Sequence, residues 1–298
     1  MLAKNAESSR AVPIKKRIDM IRNNPFVPIV WGSNQAGMVA GKEIDNKVYF
    51  SDYAVDEFGY AFDETLFRDD AWKYSAEVVA DLMEAWDDAG YHKQIVNRIG
   101  EAFTTVKGVI TGTEWDNFFH LRRDKHADPA IKELADCMWK AKCEVEEKDL
   151  VEILQAGEWH TPYVEHWRDD AQEIMYGVSS GIKINWLSLE QALKTSAVAC
   201  GQVSFRNLDT SEETVERVWE RLMGGEAVHA SVTEHQGTPM QRFEWPEYTS
   251  PDVWLDVEEK GITHADRDKQ YWSAKFKHWI MFRKTIPNEY CSKYVPNE

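Results

Sequence analysis

Two adjacent arginines, Arg122 and Arg123, follow an aromatic stretch near the middle of the chain and are the side chains best suited to chemistry. Trp115, Phe118 and Phe119 precede them at three- and four-residue steps, which is the spacing of one face of a helix. A guanidinium at the end of such a helix can hold an anion or a polarised carbonyl. A helix-terminal salt bridge gives the same pattern, so the ligand role and the structural role both stay open.

The segments that must position these arginines are predicted to be two helices. Thr113 and Asp116 have the spacing of a capping box, so the first helix is expected to start near Glu114. Asp128-Pro129 is typical of an N-cap followed by a first-turn proline, which opens the second helix. The buried side of the second helix is predicted to carry Ile131, Leu134, Ala135 and Met138.

Three more helices are predicted in the first half of the chain. One covers residues 13–23, with Ile14, Ile18 and Ile21 at helical spacing. The stretch HKQIVNRIGEAF is predicted to form a helix that packs against its predecessor. That predecessor, over residues 69–90, has the clearest pattern, and its inner side chains are expected to be Val78, Val79, Leu82, Met83 and Trp86.

The second half begins with an irregular connection predicted over residues 158–185. A helix is expected up to about Val203, and a capping box of Thr210 with Glu213 predicts another. Residues 243–275 are interpreted as a lid or surface loop, and KHWIMFRKTI as a strand. We predict two halves, 1–157 and 158–298, that together form one composite domain.

Composition and charge limit the classes of partner. The chain has 298 residues and a formal net charge of −16, which disfavours nucleic acids and anionic membranes but allows a small phosphate at a local basic spot. Its four cysteines form no CxxC pair, and no apolar run is long enough to span a bilayer or to act as a secretion signal. We therefore predict a soluble cytoplasmic protein with reduced thiols, no nucleic-acid partner and no membrane.

Two common nucleotide-binding motifs are missing. GSNQAGMVAGK departs from the P-loop pattern because Ala36 stands where a glycine is required and Glu43 where a serine or threonine is required. No GxGxxG is present, so a Rossmann cofactor site has no support.

The histidines and serines give no catalytic motif of their own. His160, His229 and His235 have no accompanying HExxH or CxxC, and we predict that the chain holds no metal. Ser8 and Ser9 lack a GxSxG elbow, so we interpret them as hydrogen-bond donors to a ligand or as part of an N-terminal turn.

Several motifs together resemble those of the flavin-dependent thymidylate synthases. They are NAESSR at 5–10, TEWDNFFHLRR at 113–123, GQVSFRN at 201–207 and HASVTEH at 229–235. Their order, with the remnant of the signature motif first, resembles the permuted branch of that family. The stretches NPFVPIVWGSNQAGM, GEWHTPYV and FRKTIP match further motifs of this branch, so the resemblance covers nearly the whole chain.

The resemblance implies a fold, an activity and an assembly. The fold would be α/β in the broad sense (α+β), with helices packed on a mainly antiparallel sheet. The enzyme would convert dUMP to dTMP, taking a one-carbon group from methylenetetrahydrofolate and reducing equivalents from NADPH through FAD, without a cysteine nucleophile. It would be a homotetramer with sites between subunits.

The resemblance also implies roles for single residues. Arg122 matches the arginine that contacts the uracil ring and favours its ionised form. Four residues match positions that hold the nucleotide and its phosphate: Ser8, Ser9, Arg10 and Arg98. Six residues match positions that contact the flavin: Asn5, Asn117, Ser204, His229, Ser231 and Glu234.

The chain departs from the family pattern at the start of the signature motif. The HR pair that normally opens it, on a strand that grips the flavin, would precede Met1, and Ala3 stands where a serine is expected. HASVTEH lacks the usual Pro-Phe, and ADPAI replaces AQxEI. Three explanations stay open: a gene start that is misassigned or split, a partner chain that supplies the missing strand, or a homologue with lost or changed activity. Arg283 and Lys284 could offer substitute basic groups.

Two other functions stay open beside thymidylate synthesis. One is a related enzyme that transfers a one-carbon unit to give a different 5-substituted pyrimidine nucleotide. The other is a non-catalytic subunit that keeps the fold and the nucleotide pocket.

Overall fold

The computed structural model contains helices and short strands. It describes residues 2–37, 39–56, 59–148, 151–204, 208–225, 228–241, 261–268 and 270–291. The helices in these residues are α1 (Ile14–Asn23), α2 (Arg68–Asp88), α3 (Lys93–Ile99), α4 (Asp116–Arg122), α5 (Pro129–Glu147), α6 (Leu189–Gly201) and α7 (Glu212–Met223). The strands are β1 (Ala3–Ala6), β2 (Val48–Val55), β3 (Ala61–Leu66), β4 (Gly108–Thr111), β5 (Glu165–Arg168), β6 (Ile174–Ser180), β7 (Lys183–Leu187), β8 (Gly237–Pro239), β9 (His264–Ala265), β10 (Tyr271–Ser273), β11 (Phe276–Lys277) and β12 (Trp279–Met281).

The pairing of these strands confirms the mixed class predicted from the sequence. Every pair of strands in the described residues is antiparallel, and the strands form small sheets in the orders β1-β4, β2-β3, β5-β6-β7, β8-β12 and β9-β10-β11. Helices and small antiparallel sheets together make an α+β protein. Among the residues described, no helix has both the length and the apolar composition that a membrane crossing requires.

The chain forms two compact units, each assembled from separate stretches of sequence. Unit 1 comprises Met1–Glu7, Lys107–Asp116 and Leu150–Glu298. Unit 2 comprises Ser8–Val106 and Asn117–Asp149. The division into halves 1–157 and 158–298 stays a prediction.

Helices α1, α2 and α3 enclose the core of unit 2, and they confirm the three helices predicted there. Asp69 and Asp70 lie in the first turn of α2, where carboxylates interact favourably with the helix dipole. Gly90, with a φ of 85°, follows the last turn and lets the chain leave the helix. The buried apolar residues of this core are Ile18, Ile21, Ala76, Ala80, Met83, Val96 and Phe103.

The apolar face of α2 differs from the predicted one. Met83 is buried as predicted, but Val78, Leu82 and Trp86 are 39%, 49% and 41% exposed. The helix instead buries a ridge of small side chains, since alanines let a neighbouring helix approach closely: Ala71, Ala76 and Ala80. The prediction that the three large side chains lie inside is therefore wrong.

A hairpin of β2 and β3 precedes α2 and is fastened to it by aromatic contacts. The hydroxyl of Tyr74 donates to the carbonyl of Tyr53 at 3.0 Å, and the ring of Tyr74 meets that of Phe50 at 4.9 Å. The register shifts between Phe50 and Ala54, and Asp52 has a φ of 51°. This irregularity is typical of a β-bulge, which bends the hairpin.

The two helices predicted around the arginine pair are present with corrected details. The side chain of Asp128 accepts hydrogen bonds from the N–H groups of Ala130 and Ile131, which confirms the predicted N-cap of α5. The Thr113 capping box is wrong, because α4 begins at Asp116 and the Thr113 hydroxyl accepts from the N–H of Lys277. Of the four residues predicted to be buried on α5, only Ala135 is fully buried: Ile131 and Leu134 are exposed, and Met138 is half-buried.

Unit 1 contains a three-stranded meander where the sequence predicted an irregular connection over 158–185. Strands β5, β6 and β7 cover 165–187, so that prediction is wrong. Gly181, with a φ of 64°, makes the turn between β6 and β7. Val164 and Tyr176 pack against Ala192 of α6, and this small core places the helix on the sheet.

The remaining predictions for the second half are confirmed in part. Helix α6 ends at Gly201, close to the predicted end, but the N-cap of α7 is Ser211, so the Thr210 capping box is wrong. Within KHWIMFRKTI, Lys277 ends β11 and Trp279–Met281 forms β12, but Phe282–Thr285 is a 3-10 helix. Of the predicted lid, residues 243–260 and 269 lie outside the described residues, and the remainder contains β9 and β10.

Candidate functional site

The predicted phosphate-binding residues lie in unit 2, at the start of α1 and the end of α3. The N–H of Ala11 donates to the carbonyl of Ser8 at 2.9 Å, which closes a turn before α1. The side-chain amide of Asn97 in α3 donates to the carbonyls of Ser9 at 2.7 Å and Val12 at 2.9 Å. Arg98 follows Asn97 directly, so the structure brings the NAESSR turn and the VNRI segment together.

The segments that form this turn carry three basic residues. Arg10 and Arg98 are exposed, and Nζ of Lys93 donates to the carbonyl of Ala11 at 3.4 Å. The turn itself is ordered by the N–H of Arg10, which donates to Oγ of Ser8 at 3.3 Å. A basic turn rich in hydroxyl groups is chemically able to hold a phosphate.

Sequence reasoning missed Lys93 and Asn97. Asn97 is fully buried, and the signal was its place between Val96 and Ile99 in a short apolar helix, where a polar side chain must find hydrogen-bond partners. Lys93 lies four positions earlier and so falls on the same face of α3.

Replacement of Asn97 by alanine is expected to destabilise the protein by about 2 kcal/mol, because the carbonyls of Ser9 and Val12 each lose a hydrogen-bond donor. Denaturant unfolding followed by circular dichroism measures the change. Asn23→Ala is the control, since the Asn23 amide donates only to Asp19 of its own helix in an exposed position. Equal effects of the two substitutions would contradict the role of Asn97 in holding the turn.

The two adjacent arginines at the end of α4 have different surroundings. Nε of Arg123 donates to Oδ1 of Asp136 at 2.7 Å, and its guanidinium lies 4.8 Å from the ring centroid of Trp139. Arg122 is exposed, and no carboxylate of the described residues forms an ion pair with it. Arg123 therefore stabilises the packing of α4 on α5, and Arg122 is the arginine free to meet a ligand.

Asn117 is exposed on the same helix, five residues before Arg122. At 3.6 residues per turn, the two side chains leave the helix axis about 140° apart. They cannot hold one small group together, so a shared role requires a ligand or ligands that extend around the helix.

In unit 1, β1 brings together three segments predicted to contact the flavin. Asn5 lies in β1, opposite Val109 of β4. The same strand contacts both the 3-10 helix Gln202–Ser204 and the 3-10 helix Ala230–Glu234. The side chain of Ser204 lies outside the described part of the structure. Segments separated by about two hundred residues thus meet on one short strand.

The HASVTEH segment presents some polar side chains and uses others internally. His229 and Ser231 are exposed. Glu234 accepts from Nζ of Lys275 and from Nη1 of Arg283, both at 2.6 Å. Burial would raise the pKa of Glu234, but these two cations hold it below its ordinary value.

The basic groups near the chain end are also neutralised. Arg283 donates through Nε to Glu289 at 2.7 Å, and Lys284 binds the same carboxylate. Glu234 and Glu289 thus face three cations, since Lys275 completes the cluster. Arg283 and Lys284 therefore stabilise the packing of unit 1 through ion pairs, which an anionic ligand would have to displace.

His235 lies fully buried beside this segment. Its Nδ1 shares a hydrogen bond of 3.0 Å with the hydroxyl of Thr111 in β4, and its Nε2 has no partner among the residues that the structure describes. Burial lowers the pKa of His235 to about 4, because the charged imidazolium loses its hydration. The neutral ring therefore belongs to the core of unit 1.

A pH dependence of stability follows from His235. Between its folded pKa of about 4 and the ordinary value of 6.5, the unfolded state binds more protons, so the free energy of unfolding falls as the pH drops through this window. The loss is roughly 2 to 3 kcal/mol. His235→Asn, which can keep the bond to Thr111, is expected to flatten the dependence in urea unfolding between about pH 7 and about pH 5. The control, His126→Asn at an exposed position, should keep it, and an equally steep fall in His235→Asn would contradict this assignment.

The predicted residues thus fall into a basic turn and an unpaired arginine in unit 2, and a cluster of motif segments on β1 in unit 1. No protein-family model matches the chain, and neither does any curated protein or any solved structure.

Proposed function

We propose that the protein is a flavin-dependent thymidylate synthase-like enzyme, with the fold of that family, which converts dUMP to dTMP using methylenetetrahydrofolate, NADPH and FAD. The observation that carries the proposal is that β1, which contains Asn5 and Ala6 of NAESSR, contacts Gln202–Ser204 of GQVSFRN and Ala230–Glu234 of HASVTEH. Distant motifs that gather at one strand are expected if they line one ligand site. We further propose a homotetramer.

The nucleotide would be held by side chains of unit 2. The turn at Ser8, Ser9 and Arg10, together with Arg98 of the α3 segment that binds it, suits the phosphate because these residues carry hydroxyl groups and exposed guanidinium groups. Arg122 suits the uracil ring, since a fixed positive charge stabilises the anion that forms when the ring loses its proton. The pairing of Arg123 with Asp136 supports the choice of Arg122 for this role.

The side chains on β1 and its neighbours allow a test of fit for FAD. His229 and Ser231 are exposed and offer hydrogen-bonding groups, and Asn5 adds an amide on the adjoining strand. Glu234 fits less well, because its two ion pairs would have to be replaced first. Bound FAD would supply hydride transfer. We therefore propose Asn5, His229 and Ser231 as flavin contacts in unit 1, where the 3-10 helix that contacts β1 carries Ser204. The flavin contact of Asn117, on α4, stays a prediction from the resemblance.

The state of the buried thiol fits a reaction that uses no cysteine nucleophile. Burial raises the pKa of Cys200 to about 12, so this thiol stays protonated and unreactive at neutral pH. Its hydrogen-bond partners, Gln236 and Ser196, are also buried, and the group belongs to the core beneath α6.

Binding experiments on the purified protein test this proposal. Titration with FAD should shift the flavin absorption bands, and dUMP should raise the melting temperature in a saturable way. A protein that binds neither would overturn the proposal. Binding of both ligands without any product would favour the non-catalytic subunit, and a different 5-substituted nucleotide in the product mixture would favour the related enzyme.

A further inference from the structure

A cavity of about 370 Å³ lies in unit 2 and is lined by none of the residues assigned to the proposed function. Its walls come from the WGSN loop, from the β2-β3 hairpin with the residues before it, and from one face of α2. Volumes of a few hundred cubic ångströms are typical of small-molecule sites. The cavity is large enough for one or two fused rings.

Aromatic side chains supply much of the wall. Trp31 and Trp72 meet edge to face with their ring centroids 5.8 Å apart, and Phe50 lines the hairpin side. Such rings favour a flat aromatic guest, which can stack on one ring while meeting the edge of another. Ile44 and Val48 at the rim are exposed, so a guest would cover apolar surface that otherwise faces water.

Backbone and side-chain hydrogen bonds hold these walls in place. Nε1 of Trp72 donates to the carbonyl of Phe26 at 2.7 Å, which fixes the indole ring. The loop is closed by bonds from the N–H of Ile44 to the carbonyl of Trp31 at 2.9 Å and from the N–H of Ser33 to the carbonyl of Lys42 at 2.8 Å. A preformed wall loses little conformational entropy when a ligand binds.

The ionisable residues that line the cavity are both cations, Arg68 and Lys47. Arg68 lies 5.7 Å from the ring centroid of Trp31 and faces two carboxylates, Glu43 at 3.1 Å and Asp45 at 3.6 Å, so its charge is fully compensated. Nζ of Lys47 lies 4.4 Å from the ring centroid of Phe67 and forms no ion pair with a described carboxylate. The uncompensated charge at the cavity is therefore that of Lys47.

We propose that this cavity binds a small planar aromatic anion, such as an aromatic carboxylate, with its rings packed against the wall that Trp31 and Trp72 form and its negative charge at Lys47. The aromatic walls favour a planar ligand, and the ammonium group of Lys47 favours a negatively charged one. The site goes beyond the proposed function, since neither the nucleotide-binding residues nor the flavin-contacting residues line it.

Isothermal titration calorimetry with 2-naphthoate tests the proposal on the full chain. Wild-type protein should bind it saturably, and should bind the neutral analogue 2-naphthamide about tenfold more weakly because the contact with Lys47 is lost. Lys47→Met should lower the affinity for 2-naphthoate about tenfold and remove the preference over 2-naphthamide. Lys42→Met, in the same loop but outside the lining, is the matched control and should behave as wild type.

A second variant tests the cavity itself. Ser75 lies on the α2 wall with its hydroxyl turned back to the carbonyl of Ala71, so Ser75→Leu should fill the space without breaking a contact to another element. We expect it to abolish binding of both naphthalene compounds while the melting temperature response to dUMP persists. No saturable binding to wild-type protein, or unchanged binding to Ser75→Leu, would overturn the proposal. The binding of 2-naphthoate by the wild-type protein and by Ser75→Leu is measured independently of the shift in melting temperature with dUMP, which tests the proposed function.

Discussion

The Arg17→Met variant is expected to unfold at a higher denaturant concentration than the wild-type protein. Arg17 is 1% exposed, and within the described part of the chain its Nε has no hydrogen-bond partner and no carboxylate forms an ion pair with it. A buried guanidinium group without an ion-pair partner loses its hydration at a cost of several kcal/mol. Methionine fills a similar volume with an apolar chain, so the free energy of unfolding should rise by on the order of 4 kcal/mol. Guanidinium chloride unfolding measures the difference.

Arg22 on the same helix is the matched control. Its guanidinium meets Asp81 at 2.6 Å and Glu84 at 2.8 Å, and it is partly exposed. Arg22→Met leaves these carboxylates without their cation and is expected to lower stability. If Arg17→Met lowered stability as much as Arg22→Met, Arg17 would have to be compensated in solution, and our reading of its burial would be contradicted.

The Arg122→Gln variant is expected to bind dUMP on the order of 10- to 100-fold more weakly than wild type, because a hydrogen bond from a charged group contributes about 1.5 to 3 kcal/mol. Glutamine keeps a hydrogen-bond donor but removes the charge. The thermal stability should stay unchanged, since Arg122 is exposed. Calorimetric titration with dUMP measures the affinity.

Arg123→Gln separates a ligand role from a structural one. This substitution removes the bond to Asp136 and the contact with Trp139, so it should lower stability while leaving the affinity for dUMP close to wild type. An Arg123→Gln variant that weakens dUMP binding as strongly as Arg122→Gln would assign the loss to distortion of α4. The proposed contact of Arg122 with the pyrimidine would then have no support.

Helix positions could be predicted from the sequence because caps and apolar spacing are local. Asp128 with Pro129, and Asp69 with Asp70, marked the starts of α5 and α2 within a residue or two. Which face of a helix is buried depends on distant segments, so Val78 and the other large residues of α2 were assigned to the wrong side. Apolar periodicity shows which face of a helix is apolar, but it does not show which segment of the chain packs on that face.

The meander of β5, β6 and β7 was missed for a different reason. Its strands are short, and Gly177 and Gly181 interrupt the alternation of apolar and polar residues, so the sequence indicated a loop. In the structure Gly177 allows close packing against the neighbouring strand, and Gly181 makes the turn between β6 and β7. Sheet pairing is non-local, and a single sequence carries little information about it.

The sequence predicted the motifs of the candidate site. It did not predict the residues that hold those motifs in place. Arg122 differs from Arg123 only through Asp136 and Trp139, which lie a helix away. Arg17 carried a readable signal, since it is three residues after Ile14 and four before Ile21 and thus falls within the apolar stripe of α1. A charge at such a position predicts either a ligand contact or a stability defect.

The most direct test of the proposed function is to identify the product that the purified protein forms from dUMP, methylenetetrahydrofolate and NADPH in the presence of FAD. Liquid chromatography with mass spectrometry separates dUMP from its 5-substituted products. The proposal predicts dTMP, at a rate that falls strongly in Arg122→Gln and little in Arg123→Gln. Unchanged dUMP, or a product other than dTMP, would contradict it.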